Sequence, residues 1–149
     1  MTKRISSIVT GLVLVLAVTA VRAVTVHEAT GKGAILDNDG NSVSLQFKAG
    51  IDDLGNIFGE VQQTTHLPGK DFKFHGTVLC FDLLSDNTAV FGGVIDSSSD
   101  PSLVGQFFVV EVVDDTPDQY GFDITTRQPD CTRVNVKLDD LIRGSIHVH

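Results

Sequence analysis

Tryptophan is absent from this 149-residue chain, tyrosine and methionine occur once each, cysteine twice and proline four times. Each scarcity excludes something. With no tryptophan and one tyrosine, the chain lacks the aromatic platforms on which bases or sugar rings stack. Basic residues are few, 11 Lys and Arg against 19 Asp and Glu, and they form no cluster. That balance argues against binding to nucleic acid or to an anionic membrane surface. Neither cysteine belongs to a Cys-x-x-Cys pair or lies beside a histidine, so a reactive thiol is not expected. No serine stands in a Gly-x-Ser-x-Gly elbow, and Ser97, Ser98 and Ser99 form part of a polar loop. Glutamate occurs only at Glu28, Glu60 and Glu111, and a glycosidase would need two carboxylates facing each other across a cleft. No long stretch repeats apolar residues at helical spacing.

The N-terminus has the pattern of an export signal. Lys3 and Arg4 precede an apolar stretch from Ile8 to Val18, and Val21-Arg22-Ala23 fits the small-x-small cleavage rule. Val18-Thr19-Ala20 is an alternative cut. The apolar stretch is short of the ~20 residues a membrane-spanning helix requires. Cleavage after Ala23 leaves one domain, residues 24–149, long enough to bury a core. It removes Lys3, Arg4 and Arg22 but no acidic residue, so the net charge moves from −8 to −11. The expected compartment is extracellular, with no membrane contact once the signal is cut. In an oxidising compartment, Cys80 and Cys131 are expected to pair and close a loop of about 50 residues.

Alternation of apolar and polar residues dominates residues 24–149, which predicts an all-β domain of about eight strands: an antiparallel barrel or a strongly coiled sandwich. Strands are expected at 33–37, 42–48, 57–65, 71–84, 88–96, 104–113, 121–127, 133–138 and 144–149. Val43, Leu45 and Phe47 share one face of the second. The third is more polar and reads as an edge strand. Phe72 and Phe74 occupy even positions, whereas Leu79, Phe81 and Leu83 occupy odd ones. A β-bulge near His75-Gly76-Thr77 would reconcile them, and Gly92-Gly93 suggests a bend or a close backbone approach. Asp37-Asn38-Asp39-Gly40-Asn41 opens like a calcium loop, but Ser42 stands where the glycine belongs and Lys48 where the glutamate belongs. A hairpin turn explains it better.

Three segments carry a resemblance. They are Phe108 to Asp115 with its Pro-containing loop and Phe122-Asp123-Ile124; Thr88-Ala89-Val90-Phe91-x-Gly93 after Asp86-Asn87; and the ending Leu141-x-x-Gly144-Ser145-Ile146-His147-Val148-His149. Together they resemble a group of small secreted bacterial β-domains of uncharacterised function that end in Gly-Asn-Ile-x-Val-His. Ser145 replaces the usual asparagine, and the turn after Asp115 lacks the usual glycine. The resemblance spans roughly residues 31–149 and implies a secreted β-domain. It brings no catalytic residues.

Two constellations bear chemistry. Asp114, Asp115, Asp118 and Asp123 surround one loop and offer oxygen ligands to Ca²⁺, or else cap their own backbone. His147 and His149 share a strand face and offer nitrogens to Zn²⁺ or Cu²⁺ if His75 or Asp82 converges on them. Glu111 would have a raised pKa if it faced a barrel interior, although a solvent-facing position is the expected one. The leading expectation is a non-catalytic binding or structural module for an unidentified extracellular protein or surface ligand. The alternatives are a barrel holding a small apolar ligand and a metal-dependent enzyme using His75, His147 and His149.

Overall fold

Strands with one apolar face must cover that face, and here a single sheet does so by coiling over itself. The computed structural model describes residues 24–149; the expected signal segment, residues 1–23, lies outside the described residues. The strands are β1 (Thr25–Leu36), β2 (Ser42–Asp52), β3 (Ile57–Leu67), β4 (Lys70–Ser85), β5 (Thr88–Ser98), β6 (Phe107–Val113), β7 (Gln119–Thr125), β8 (Leu138–Asp140) and β9 (Arg143–Val148). A short 3-10 turn, Pro101–Leu103, precedes β6. β1 to β8 form an antiparallel meander, and β9 returns to pair with β1, giving the order β8-β7-β6-β5-β4-β3-β2-β1-β9. The all-β class is as expected, and one coiled sheet replaces the sandwich alternative.

The coiling is visible in the core. Phe47 on β2 lies 5.1 Å from the Phe91 ring on β5 and 6.1 Å from Tyr120 on β7. Phe74 on β4 lies 5.0 Å from Phe122 on β7. Strands this far apart in the sheet order meet only where the sheet curls. Val43, Leu45 and Phe47 point inward as expected, and so do Ile146 and Val148. Gly31, opposite Phe47 in the β1–β2 register, makes room for it: a Cβ there would stand 2.5 Å from the phenyl edge.

Several strand expectations are corrected. β1 starts eight residues before the expected Gly33, because its first residues, Thr25 to Lys32, are held by pairing with β2 and, from Ala29 on, with β9 rather than by their own hydropathy. β3 is not an edge strand but pairs with both β2 and β4; its polarity belongs to its outward face, while Val61 and Gln63 turn inward. The parity change in β4 comes from an extra residue at Leu79, between Val78↔Gly93 and Cys80↔Gly92, which turns Leu79 outward. A register shift does occur at His75/Gly76 as expected, with Asp96 of β5 as its extra residue. Gly92 and Gly93 do allow close approach, to the Pro129 ring and to the Thr77 carbonyl oxygen respectively. Residues 133–137 are not a strand. Asp130 accepts from the Thr132 amide and hydroxyl to make a turn, and β8 is confined to Leu138–Asp140.

Cys80 and Cys131 form a disulfide, with Cα atoms 6.0 Å apart. It holds the segment between β7 and β8 against the outer side of β4, where closing so long a loop is worth on the order of 4 kcal/mol in the chain-entropy picture.

One buried polar pair crosses the interior. The Tyr120 hydroxyl donates to Gln63 Oε1 at 3.0 Å, and burial pushes the phenol pKa far up. Tyr120→Phe would strand the Gln63 carbonyl without a donor, at a cost of about 1–3 kcal/mol. Urea denaturation should show that loss, and adding Gln63→Leu to Tyr120→Phe should recover part of it.

Candidate functional site

The loop aspartates serve the backbone. β9 uses the amides of Ser145, His147 and His149 on its β1 side, which leaves those of Ile146 and Val148 facing the β6–β7 connection. Asp118 Oδ2 accepts from the Ile146 amide at 2.7 Å, and Asp114 Oδ2 accepts from the Val148 amide at 3.1 Å. Asp118 Oδ1 also accepts from the Asp115 amide, and Asp115 and Asp123 each accept from the amide of the next residue. The four carboxylates are thus directed at separate backbone donors rather than at a common centre. Among the described residues, no group of three or more His, Cys, Asp or Glu side chains is placed to hold a metal.

The histidines are brought together only in part. His147 and His149 stack with ring centroids 6.2 Å apart. His75 lies on β4, four strands away from β9, or roughly 19 Å along the sheet. There its ring nitrogens face Glu60 Oε2 at 3.2 Å and Asp96 Oδ2 at 3.3 Å. Asp82 pairs with Val90 towards the other end of β4. Glu111 points outward beside Val90 and Gly121 and is half-buried, and desolvation raises its pKa. Ser97 and Ser98 are not in a loop as expected but end β5, opposite His75 and Phe74, because pairing with β4 extends the strand; Ser98 Oγ accepts from the Asp100 amide and Ser99 Oγ from the Lys73 amide.

The hairpin reading of Asp37–Asn41 holds, and Asp52–Asn56 repeats it. In each turn the aspartate accepts from the amides two and four residues on, and the asparagine side chain donates to its second oxygen at 2.9 Å. Gly40 and Gly55 supply the positive φ, 82° and 81°. These donors, led by the asparagine amide, hold both aspartate pKa values below the ordinary range.

A feature not read from the sequence lies on the outer face of β9, β1, β2 and β3. The pairing registers place Arg143, Ala34, Ser44 and Thr64 in one row across these strands, and Ser145, Lys32, Gln46 and Gln62 in another. The rows border a groove of about 590 Å³ that opens outward, while Tyr120, Phe91 and Phe108 lie fully buried in the interior beside a smaller cavity of about 200 Å³ lined by Ile35, Val43, Gln63, Tyr120 and Phe122. At its margin, Ser44 Oγ lies 3.1 Å from His66 Nε2, and His66 Nδ1 lies 3.1 Å from Asp71 Oδ1. The spacing of His66 and Asp71 around a Leu-Pro-Gly turn was a signal in the sequence, but Ser44 joins them only through the β2–β3 register.

Lys32 and Arg143 are the groove's cations, and neither forms an ion pair with a described carboxylate. In a chain with 19 acidic residues, two unpaired cations on one groove are a local reversal of sign. No family model matches the chain, and no curated protein or solved structure matches it significantly.

The engagement of the aspartates can be measured in two ways. Asp118→Ala should cost about 1–3 kcal/mol by freeing the Ile146 amide, with faster hydrogen exchange at Ile146 than at Val148, which Asp114 still holds, as its local mark. Because these carboxylates are already engaged, the unfolding temperature should be the same in EDTA and in millimolar Ca²⁺; a rise with Ca²⁺ would show that the loop rearranges around the ion.

Proposed function

We propose that this protein is an exported β-domain that binds a small hydroxylated carboxylate in the outward groove between β9 and β3. The observation that carries this reading is the pair Lys32 and Arg143, unpartnered by described carboxylates, on one groove of an acidic protein. Gln46, Gln62, Thr64 and Ser145 surround the cations with amide and hydroxyl groups that suit a ligand's hydroxyls. Arginine offers a forked, bidentate partner to a carboxylate, and lysine adds a point charge. Recognition here rests on charge and hydrogen bonds and does not depend on a stacking aromatic.

Export is supported by the signal-like N-terminus, by the Cys80–Cys131 disulfide and by the resemblance of residues 31–149 to secreted β-domains. Among the described residues no helix is long and apolar enough to cross a membrane. The outward groove, at about 590 Å³ against about 200 Å³ for the cavity beside Tyr120 and Phe122, favours an outer-face site over an apolar ligand held inside the sheet.

The test is calorimetric titration of the purified domain with glucuronate, and with glucose as the neutral control. Glucuronate should bind and glucose should not, with affinity falling as salt is raised. Lys32→Ala combined with Arg143→Ala should weaken binding at least about tenfold while leaving the unfolding temperature unchanged, a tenfold loss being about 1.4 kcal/mol. Equal binding of glucose, or undiminished binding by the double variant, would overturn the reading.

A further inference from the structure

Three outer-face residues on adjacent strands form a hydrogen-bonded relay beside the groove. Ser42, His66 and Asp71 occupy one register row on β2, β3 and β4, and Ser44 stands two residues further along β2 on the same face. The His66 ring is therefore flanked by Asp71 on one side and reaches diagonally to Ser44 on the other, at 3.1 Å in each direction. A neutral imidazole protonated on Nδ1 satisfies both contacts: Nδ1–H donates to Asp71 Oδ1, and Nε2 accepts from the Ser44 hydroxyl. That order of groups is the one by which a serine is activated for acyl transfer, and it is recognised by geometry rather than by sequence position or fold. The His66 and Asp71 side chains are 45% and 43% exposed, so substrate has access without any rearrangement. Ser44 itself lines the groove that holds Lys32 and Arg143.

We propose that Ser44 is a nucleophile for the hydrolysis of small carboxylate-bearing esters, with His66 as general base and acid and Asp71 as the residue positioning its ring. The anionic character of the substrate rests on the proposed function of the groove; the nucleophile rests on the Ser44–His66–Asp71 geometry alone. Ser44 Oγ bonds to the ester carbonyl carbon while its proton passes to His66 Nε2. The carbonyl π pair moves onto oxygen and then returns, breaking the bond to the alkoxide, which takes the proton from Nε2. Water then attacks the acyl-serine, gives a proton to Nε2, and releases the acid as that proton returns to Ser44. The sum is ester plus water giving acid plus alcohol. Lys32 and Arg143 favour negative charge in the groove where the oxyanion develops.

The experiment uses mono-p-nitrophenyl succinate as the anionic ester and p-nitrophenyl acetate as the neutral one. The wild-type domain is expected to release p-nitrophenolate and to carry a succinyl group on Ser44, located by peptide mass spectrometry. Ser44→Ala should remove the adduct and, like His66→Ala, slow release by at least about 10²-fold, as loss of general-base catalysis does. Asp71→Asn should lower kcat and leave KM unchanged, a split that a merely structural role would not produce. Release that persists in Ser44→Ala, or an acyl group found only on lysines, overturns the nucleophile, whether or not glucuronate binds. Ser44-dependent turnover of both esters at equal rates upholds the nucleophile and overturns the anionic substrate class. The unfolding temperature of each variant, measured alongside, separates lost chemistry from lost fold.

Discussion

Every open antiparallel sheet leaves a row of unpaired backbone groups along each edge, and this chain disposes of its edges at a single seam. β9 comes after β8 with only Leu141 and Ile142 between them, yet it pairs with β1 at the far side of the sheet. The short connection forces the two edges together and so imposes the curl. The Leu141 amide donates to the Asp118 carbonyl, and the Ile142 amide donates to the Ala34 carbonyl. Beyond that point the ladder is completed by the side chains of Asp118 and Asp114 instead of by a strand. Two carboxylates thus do for β9 what a neighbouring backbone does elsewhere, with the added strength of a charged acceptor.

Curling decides which face is dry. Inside, aromatic rings from β2, β4, β5 and β7 meet, and beside them the Tyr120 hydroxyl donates to Gln63 Oε1. Outside, the face is divided. Over β4 to β7, the disulfide-held segment covers part of the sheet, with Pro129 against Gly92, and the outward-pointing Val90 two residues away is buried. Over β9 to β3, Ala34 is buried between Arg143 and Ser44, and the polar row of Ser145, Lys32, Gln46 and Gln62 borders the open groove.

The same pairing register that places Phe47 over Gly31 also places Ser44 two residues from the row of His66 and Asp71. Core packing and outer-face chemistry are therefore locked to one another. A slip of one residue in β2 would bury its polar side chains and break the Ser44–His66 contact at once.

Period-two alternation by itself determined the all-β class, the inward faces of β2 and β9, and the hairpin at Asp37–Asn41, because each depends on residues close in the chain. The Cys80–Cys131 pair was legible from the count of two and the signal-like N-terminus. The length of β1, the central place of β3 and the residue at which β4 bulges were not legible, since neighbouring strands fix them and local hydropathy does not. The same limit applied to the sites. The sequence presented a cluster of aspartates and a pair of histidines as candidate ligands, but only the tertiary structure aimed the aspartates at β9 amides and set His75 four strands away from His147. It likewise joined Ser44 to residues 22 and 27 positions further on. Register between strands is a long-range property, carried by which apolar faces meet in the core, and it alone decides which polar residues become neighbours outside.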